Sequence, residues 1–220
     1  MANARETRTP RAAVIVAHPD DEVLWCGGFM LERPGWDWFV LTLCRGSDAD
    51  RSVRFRRALQ ALHARGAMAD LDDGAEQRPL PLALLLDTLA TGLPANNYDL
   101  ILTHGPRGEY TRHLRHEECC RAVAALWTSR QVHCAQVKLF AYSDDAGLGC
   151  PHVRADADEQ YELTPQTFER KYQLITDIYG FGKDSWEART TPATEGFDRA
   201  DSPSRMNELV LASSTREIKA

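Results

Sequence analysis

The chain has 220 residues, 43% of them hydrophobic and 26% charged, a balance typical of one globular domain. Its net charge of −6 does not favour nucleic acid or an anionic membrane as a partner. No apolar run approaches the roughly 18 residues of a membrane span, and the first eleven residues lack the apolar stretch of a signal peptide. We therefore expect a cytoplasmic protein without a membrane segment or a nucleic-acid partner.

Strand-like and helix-like segments alternate along the first two thirds of the chain. The predicted strands are 12–17, 38–43, 67–71, 100–103 and 137–142, and the predicted helices are 21–32, 52–64, 81–90, 117–128 and 164–178. This alternation predicts an α/β fold of the Rossmann-like type, a three-layer α/β/α single domain with a mostly parallel sheet.

Three segments of different character divide the chain. Residues 1–11 are polar and predict a flexible N-terminal tail, and residues 12–179 hold the alternating α/β core. From 180 to 220 the sequence is irregular, so we expect a C-terminal extension that frames the pocket.

The six cysteines do not suggest a structural zinc site, because no Cys-x-x-Cys pair occurs. Free thiols in a reducing cytosol are the expected state of a chain without a secretory signal. We interpret Cys26 and Cys44 as small core residues.

One imidazole and three carboxylates follow the first predicted strand, in Ala17-His18-Pro19-Asp20-Asp21-Glu22. Acids after a proline also make a good helix start, so a capping role for them is the alternative. However, catalytic groups of open α/β sheets gather at the carboxyl ends of strands. A histidine beside two aspartates there can divide the work of a metal hydrolase.

A second histidine cluster follows the predicted strand 100–103 and ends in His113-Leu114-Arg115-His116. On its own a His-x-x-His in a glycine-containing loop is more often solvated. Combined with His18 and Asp21 at another strand end, His116 completes a set of three ligands. Such a set leaves a fourth position for water, which distinguishes catalytic zinc from structural zinc.

These motifs, together with Gly27-Gly28 and Gly108-Glu109-Tyr110, resemble the LmbE-like or PIG-L superfamily of zinc-dependent N-deacetylases. The resemblance spans roughly residues 12–179. It implies His18, Asp21 and His116 as metal ligands, with zinc, or Fe²⁺ or another divalent ion, as the cofactor.

The resemblance also implies the catalytic roles. Asp20 would be the general base and later the general acid, protonated His113 would stabilise the oxyanion, Tyr110 would lie near the substrate carbonyl, and Arg51 would steady the base. The chain departs from the family pattern at Arg115, which replaces an acid that could orient a histidine.

The implied reaction is removal of an N-acetyl or other acyl group from an N-acetylglucosamine-type sugar of a small glycoconjugate. The family also allows a homo-oligomer. Arg107, Arg112 and Arg115 could pair with an anionic group of the substrate, whereas Trp25 is expected to pack in the core. Two alternatives stay open: a non-catalytic Rossmann-like domain that binds a sugar or nucleotide, and a zinc amidase that acts on a non-sugar amide.

Overall fold

The computed structural model describes residues 8–144, 147 and 149–215. The strands are β1 (Arg11–Val16), β2 (Asp37–Cys44), β3 (Ala64–Leu71), β4 (Asn97–Thr103), β5 (His133–Phe140), β6 (Tyr142–Ser143), β7 (His152–Val153), β8 (Glu159–Glu162) and β9 (Thr194–Ala200). The helices are α1 (Asp21–Leu31), α2 (Ala49–Ala61), α3 (Leu82–Gly92), α4 (Leu114–Thr128), α5 (Pro165–Gln173), which continues as a π-helical turn (Leu174–Ile178), α6 (Trp186–Thr190) and α7 (Pro203–Thr215).

Seven strands form the central sheet in the order β3-β2-β1-β4-β5-β9-β8. The first five strands are parallel to one another, whereas β9 pairs antiparallel with both β5 and β8. The chain moves outward from β1 to β2 and β3 and then returns to the other side of β1 as β4. The gap between β1 and β4 is therefore the topological switch point, where ligands of open α/β sheets bind.

Helices cover both faces of the sheet, and each face has its own apolar core. Helices α1, α2 and α5 contribute to one core, which contains Val14, Trp25 and Phe55. Helices α3, α4 and α7 contribute to the other, which contains Ile15 and Leu89. The predicted single-domain, three-layer α/β fold is confirmed.

Some boundaries differ from those expected. Strand β3 starts at Ala64 rather than at residue 67, and α4 starts at Leu114 rather than at residue 117. The earlier start of α4 puts His116 in the first helical turn. Helix α2 starts at Ala49 rather than at residue 52.

The segment after residue 180, predicted as a C-terminal extension, contains regular secondary structure. The segment forms α6, β9 and α7, and β9 lies in the central sheet between β5 and β8. The sequence of β9 does not alternate clearly between apolar and polar residues. Its charged residues Glu195 and Asp198 are nevertheless buried, because they pair with residues elsewhere in the chain. Its capacity to frame the pocket stays a prediction.

Residues 1–7 of the predicted tail lie outside the described residues. Residues 8–11 are anchored rather than frayed, because Arg8 Nη2 and the Arg11 backbone N–H both donate to the carboxylate of Asp99, at 2.5 and 2.7 Å. Among the described residues, none of the helices has the length and apolar character needed to cross a membrane.

Candidate metal centre

The turn between β1 and α1 has an unusual backbone. Asp20 has φ = 119°, a value that residues other than glycine rarely adopt, at a cost of order 1–3 kcal/mol. The turn is held by carboxylates: Asp21 Oδ2 accepts from the His18 backbone N–H at 2.8 Å, and Glu22 Oε2 accepts from the Asp20 backbone N–H at 3.0 Å. Asp21 and Glu22 thus stabilise the turn as the capping alternative expects, but the Asp20 side chain makes no capping bond.

Three potential ligand atoms meet at the switch point. His18 Nδ1 lies 3.3 Å from Asp21 Oδ2 and 3.4 Å from His116 Nε2, and the latter two atoms are 3.6 Å apart. Ligands about 2.0–2.2 Å from a tetrahedral zinc ion are separated by about 3.3–3.6 Å. The spacing and the donor set of two imidazoles and one carboxylate therefore fit a divalent metal with an open coordination position.

Glu109 fixes the orientation of His116. Its Oε2 lies 2.5 Å from His116 Nδ1, which leaves the Nε2 lone pair directed to the site. Burial alone would raise the pKa of Glu109, but the neighbouring His104 and His116 lower it to about 2, so the carboxylate is ionised. A carboxylate behind a metal-binding histidine is the usual device for setting the tautomer and raising ligand basicity. Glu109 thus supplies the orienting acid that Arg115 does not.

His104 lies close to the site without being free to bind a metal. Its Nε2 accepts from the Ala17 backbone N–H at 2.9 Å, and its Nδ1 is 3.0 Å from Glu109 Oε1. Its ring also stacks on His116, with 3.8 Å between centroids. Although His104 Nε2 is 3.4 Å from Asp21 Oδ2, its lone pair is already used, so His104 supports the turn and the Glu109 carboxylate.

The far side of His18 faces Asp73, which the sequence reasoning missed. Asp73 Oδ2 is 3.3 Å from His18 Nε2 and 2.8 Å from Arg45 Nη2. Burial alone would lower the pKa of His18, but the carboxylates on its two nitrogens raise it to about 10. A metal must therefore displace a proton from this ring. Asp72 and Asp73 directly follow β3, at the same carboxyl edge of the sheet as His18. This acidic pair is the sequence signal that could have indicated Asp73.

The Asp20 carboxylate pairs with Arg51. Arg51 Nη1 is 2.7 Å from Asp20 Oδ2 and also donates to the Pro19 carbonyl at 3.3 Å. Burial and the adjacent Asp21 raise the pKa of Asp20 to about 7, against the opposing effect of Arg51. A carboxyl group with a pKa near the working pH suits a general base.

His113 is the residue at the N-cap position of α4, next to the ligand set, and its side chain makes no capping hydrogen bond. Its ring stacks on His116 with 4.3 Å between centroids and meets His18 edge-on at 4.9 Å. Burial, together with His116 and His18, lowers the pKa of His113 to about 4. The expectation of a protonated His113 is therefore not supported, and the neutral ring can still donate one N–H. Its Nδ1 is buried without a hydrogen-bond partner among the described residues.

Tyr110 lies under the segment that follows α5. Its ring centroid is 4.3 Å from that of Trp186, whose Nε1 donates to the Gly149 carbonyl. Phe181 of the same segment lies under the Arg51 guanidinium, 5.1 Å from the ring centroid. Two residues of the C-terminal third thus contact Tyr110 and Arg51.

Trp25 and Arg115 have structural positions. Trp25 is buried, as expected, and its Nε1 also donates to Asp21 Oδ1 at 3.1 Å, which the sequence did not indicate. Arg115 is 2% exposed and pairs with Glu118, so its expected role in binding an anionic substrate is wrong. The side chain is instead buried against the backbone of the loop that follows β3.

A cavity of about 650 Å³ adjoins the loop between β4 and α4. Among the described residues, its lining includes Arg107, Arg112 and Tyr110 but none of the three ligand candidates. The two arginines therefore border a space next to the metal site rather than the site itself.

The fold and the site together define an α/β protein with a candidate metal centre at the switch point of its sheet. The model of the PIG-L family, described as GlcNAc-PI de-N-acetylase, matches residues 13–127, just over half of the chain. The protein belongs to the PIG-L family.

One curated relative is the uncharacterized protein L374 of Acanthamoeba polyphaga mimivirus, which is 28% identical over 120 residues. The match covers 47% of this chain and 52% of that protein, so the chain spans about half the length of the curated relative it matches.

Solved structures share the fold at low sequence identity. N,N'-diacetylchitobiose deacetylase from Pyrococcus horikoshii is 16% identical with a TM-score of 0.66, over 88% of this chain and 85% of that chain. The zinc-inhibited form of teicoplanin deacetylase Orf2 is 13% identical with a TM-score of 0.60, over 86% and 96%. The 4-carboxy-2-hydroxymuconate hydratase GalB from Pseudomonas putida is 17% identical with a TM-score of 0.59, over 87% and 96%. Since these similarities include deacetylases and a hydratase, the fold by itself does not select the reaction.

Proposed function

We propose that the protein is a metal-dependent hydrolase that removes an acetyl or other acyl group from the amine of an N-acetylglucosamine-type sugar in a small glycoconjugate. The observation that carries the proposal is the triangle of His18 Nδ1, Asp21 Oδ2 and His116 Nε2, with sides of 3.3 to 3.6 Å. A separate carboxylate, Asp20, lies beside this triangle without belonging to it. Family membership adds support, because the family model is described as a de-N-acetylase.

The residues divide the reaction between them. A bound divalent metal, zinc or iron, supplies Lewis-acid chemistry that lowers the pKa of water and polarises the amide carbonyl. Asp20 accepts the proton of the attacking water and then passes it to the leaving amine, while Arg51 holds its carboxylate in place. His113 and Tyr110 donate hydrogen bonds to the carbonyl oxygen as negative charge develops there, an effect worth about 10²–10³ in kcat per donor.

Elemental analysis beside a His116→Ala variant tests the metal site directly. We expect about one zinc or iron per chain in the unmodified protein and none in His116→Ala, because two ligands hold a divalent ion poorly. His133→Ala, at an exposed position of β5, is the matched control and keeps the metal. Absence of metal, even after zinc is added, would favour the non-catalytic binding domain.

An amine-release assay then tests the substrate. N-acetylglucosaminyl compounds should release free amine, and a panel of acyl donors with and without a sugar separates the glycoconjugate deacetylase from the non-sugar amidase. A metal-loaded protein that releases no amine but hydrates an unsaturated carboxylate would act as GalB is described to act and would refute the proposal.

We further propose that the protein acts in the cytoplasm and forms a homo-oligomer. The six free cysteines and the charge of −6 are consistent with this setting.

A further inference from the structure

A second set of metal-ligand types lies on the opposite side of the His18 ring. A ring nitrogen of His18, Cys44 Sγ and a carboxylate oxygen of Asp73 all lie within 4.8 Å of one another. His18 Nε2 and Asp73 Oδ2 are 3.3 Å apart, the separation that two ligands of one tetrahedral zinc ion have. The three residues leave the carboxyl ends of three adjacent strands: β1, β2 and β3.

The Cys44 thiol lies in an apolar core but has no polar partner outside this group. It is completely buried, and its Sγ makes no hydrogen bond to any other described residue. In contrast, the buried thiols of Cys26 and Cys119 donate to the backbone carbonyls of Glu22 and Ile15. A polarizable sulfur beside an imidazole and a carboxylate is a ligand set suited to borderline or soft metals.

We propose that His18, Cys44 and Asp73 form a second metal position, which takes a soft divalent cation such as Cd²⁺ or excess Zn²⁺. On binding, the Cys44 thiol and His18 Nε2 each lose a proton to solvent, and Nε2 and Asp73 Oδ2 supply the other two ligands. The Arg45 guanidinium must leave Asp73, and it is able to do so because its side chain is half exposed.

Use of His18 makes the two metal positions compete. A neutral imidazole has a single lone pair, so a cation on Nε2 leaves a proton on Nδ1, where it faces Asp21. The hydrolytic position then retains only Asp21 and His116. A soft cation should therefore displace the metal of the first position and inhibit the enzyme. This inhibition rests on the proposed function, whereas the existence of the second position does not rest on it.

The experiment is a Cd²⁺ titration of the metal-free protein, followed by the ultraviolet thiolate-to-metal charge-transfer band. We expect the band in the unmodified protein, in the control Cys120→Ala, whose buried thiol is not one of the three ligands, and in His116→Ala, which lacks the first position. Cys44→Ala should bind Cd²⁺ without the band. Asp73→Asn should keep the band but need about tenfold more Cd²⁺ to reach it.

Absence of the band in the unmodified protein, or its persistence in Cys44→Ala, would overturn the inference. Circular dichroism and the melting temperature of each variant identify a variant that has not folded. If Cys44→Ala does not fold, the Cd²⁺ concentration that Asp73→Asn needs for the band decides the question. A band that depends on Cys44 in a protein that binds no metal through His116 would support the second position while refuting the proposed function. Under the proposed function, the Cd²⁺ concentration that halves amine release should rise about tenfold or more in Cys44→Ala relative to Cys120→Ala.

Discussion

Two neighbouring aspartates in one turn have different tasks because their backbones differ. Asp21 starts the helix and directs Oδ2 to His18 and His116, whereas the positive φ of Asp20 turns its side chain toward Arg51. A strained conformation of this kind persists only where surrounding bonds stabilise it. Here the Asp20 backbone N–H is held by Glu22, whose other oxygen accepts from the Tyr179 hydroxyl.

Replacement of Asp20 by asparagine separates proton transfer from metal binding. Asparagine tolerates positive φ and has nearly the same shape, but it cannot accept the proton of water at neutral pH. We expect kcat for amine release to fall by about 10²–10⁴ while the metal content stays at the unmodified level. Unchanged turnover would exclude Asp20 as the base, and loss of metal would make it a ligand.

Glu22 provides a test of the buried turn that does not need the substrate. Burial raises its pKa from 4.5 to about 8, although bonds from Tyr179 and the Asp20 N–H oppose the shift. The folded state therefore keeps the proton up to about pH 8, whereas the unfolded state loses it near pH 4.5. Stability should fall as pH rises across this window, by at most about 1.4 kcal/mol per pH unit.

Glu22→Gln should remove that part of the pH dependence, because glutamine has no charge to bury. Urea unfolding of the metal-free protein at about pH 5.5 and about pH 8 measures the difference. Glu208→Gln, at an exposed position of α7, is the control and should keep the slope of the unmodified protein. Equal slopes for Glu22→Gln and the control would contradict the assignment.

At the scale of elements, α4 and the loop that follows β3 form one unit. Arg115 Nε and Nη2 donate to the Asp72 and Arg78 carbonyls at 2.7 and 2.5 Å, and Glu118 Oε1 accepts from the Leu80 N–H at 2.8 Å. The loop that α4 holds in this way carries Asp73 to the far side of His18. Helix α4 therefore carries the ligand candidate His116 directly and supports His18 through the loop.

Arg115→Met should weaken metal binding without removing a ligand. The loop would lose two hydrogen bonds from the guanidinium and Glu118 would lose its ion partner, so Asp73 would hold His18 less firmly. Loss of such an outer partner costs about 10–100-fold in metal affinity, and we expect the lower end of that range here. Competition with a chelator measures the affinity, with Arg121→Met on the exposed side of α4 as the control. Equal affinities of the two variants would show that the loop does not need Arg115.

At the scale of the whole molecule, the segment after residue 180 belongs to the core of the fold. Glu195 of β9 is completely buried, and its two oxygens accept from the Gly28 and Phe29 backbone N–H groups at 2.8 and 2.7 Å. Lys171 of α5, also fully buried, donates to the same carboxylate at 2.8 Å. One side chain thus joins β9, α5 and α1, the helix that begins at the metal site.

Glu195→Ala should destabilise the protein by about 3–5 kcal/mol, because it leaves a buried ammonium without its counter-ion and two backbone N–H groups without an acceptor. The double variant Lys171→Met/Glu195→Gln should recover more than half of this loss, since neither side chain is then charged. Denaturant unfolding measures both, and Glu208→Ala should stay within about 0.5 kcal/mol of the unmodified protein. A single variant as stable as Glu208→Ala would mean that β9 does not contribute to the fold in this way.

The sequence alone determined the strands of the first two thirds, the α/β class and the edge at which the ligand candidates lie. It could do so because apolar runs and 3.6-residue periodicity are local signals, and because parallel strands bring their carboxyl ends to one edge. The family resemblance added the separate roles of Asp20 and Asp21.

Only the tertiary structure decided which groups orient the ligands. Glu109 and Asp73 contact His116 and His18 across separations of 7 and 55 residues, and the Glu195 carboxylate reaches α1 from a strand that its sequence did not reveal. These contacts depend on where charged side chains find buried partners, and no local pattern records a partner that lies on another element. The same reason explains why Arg115, placed by its charge near an anionic substrate, is buried against Glu118.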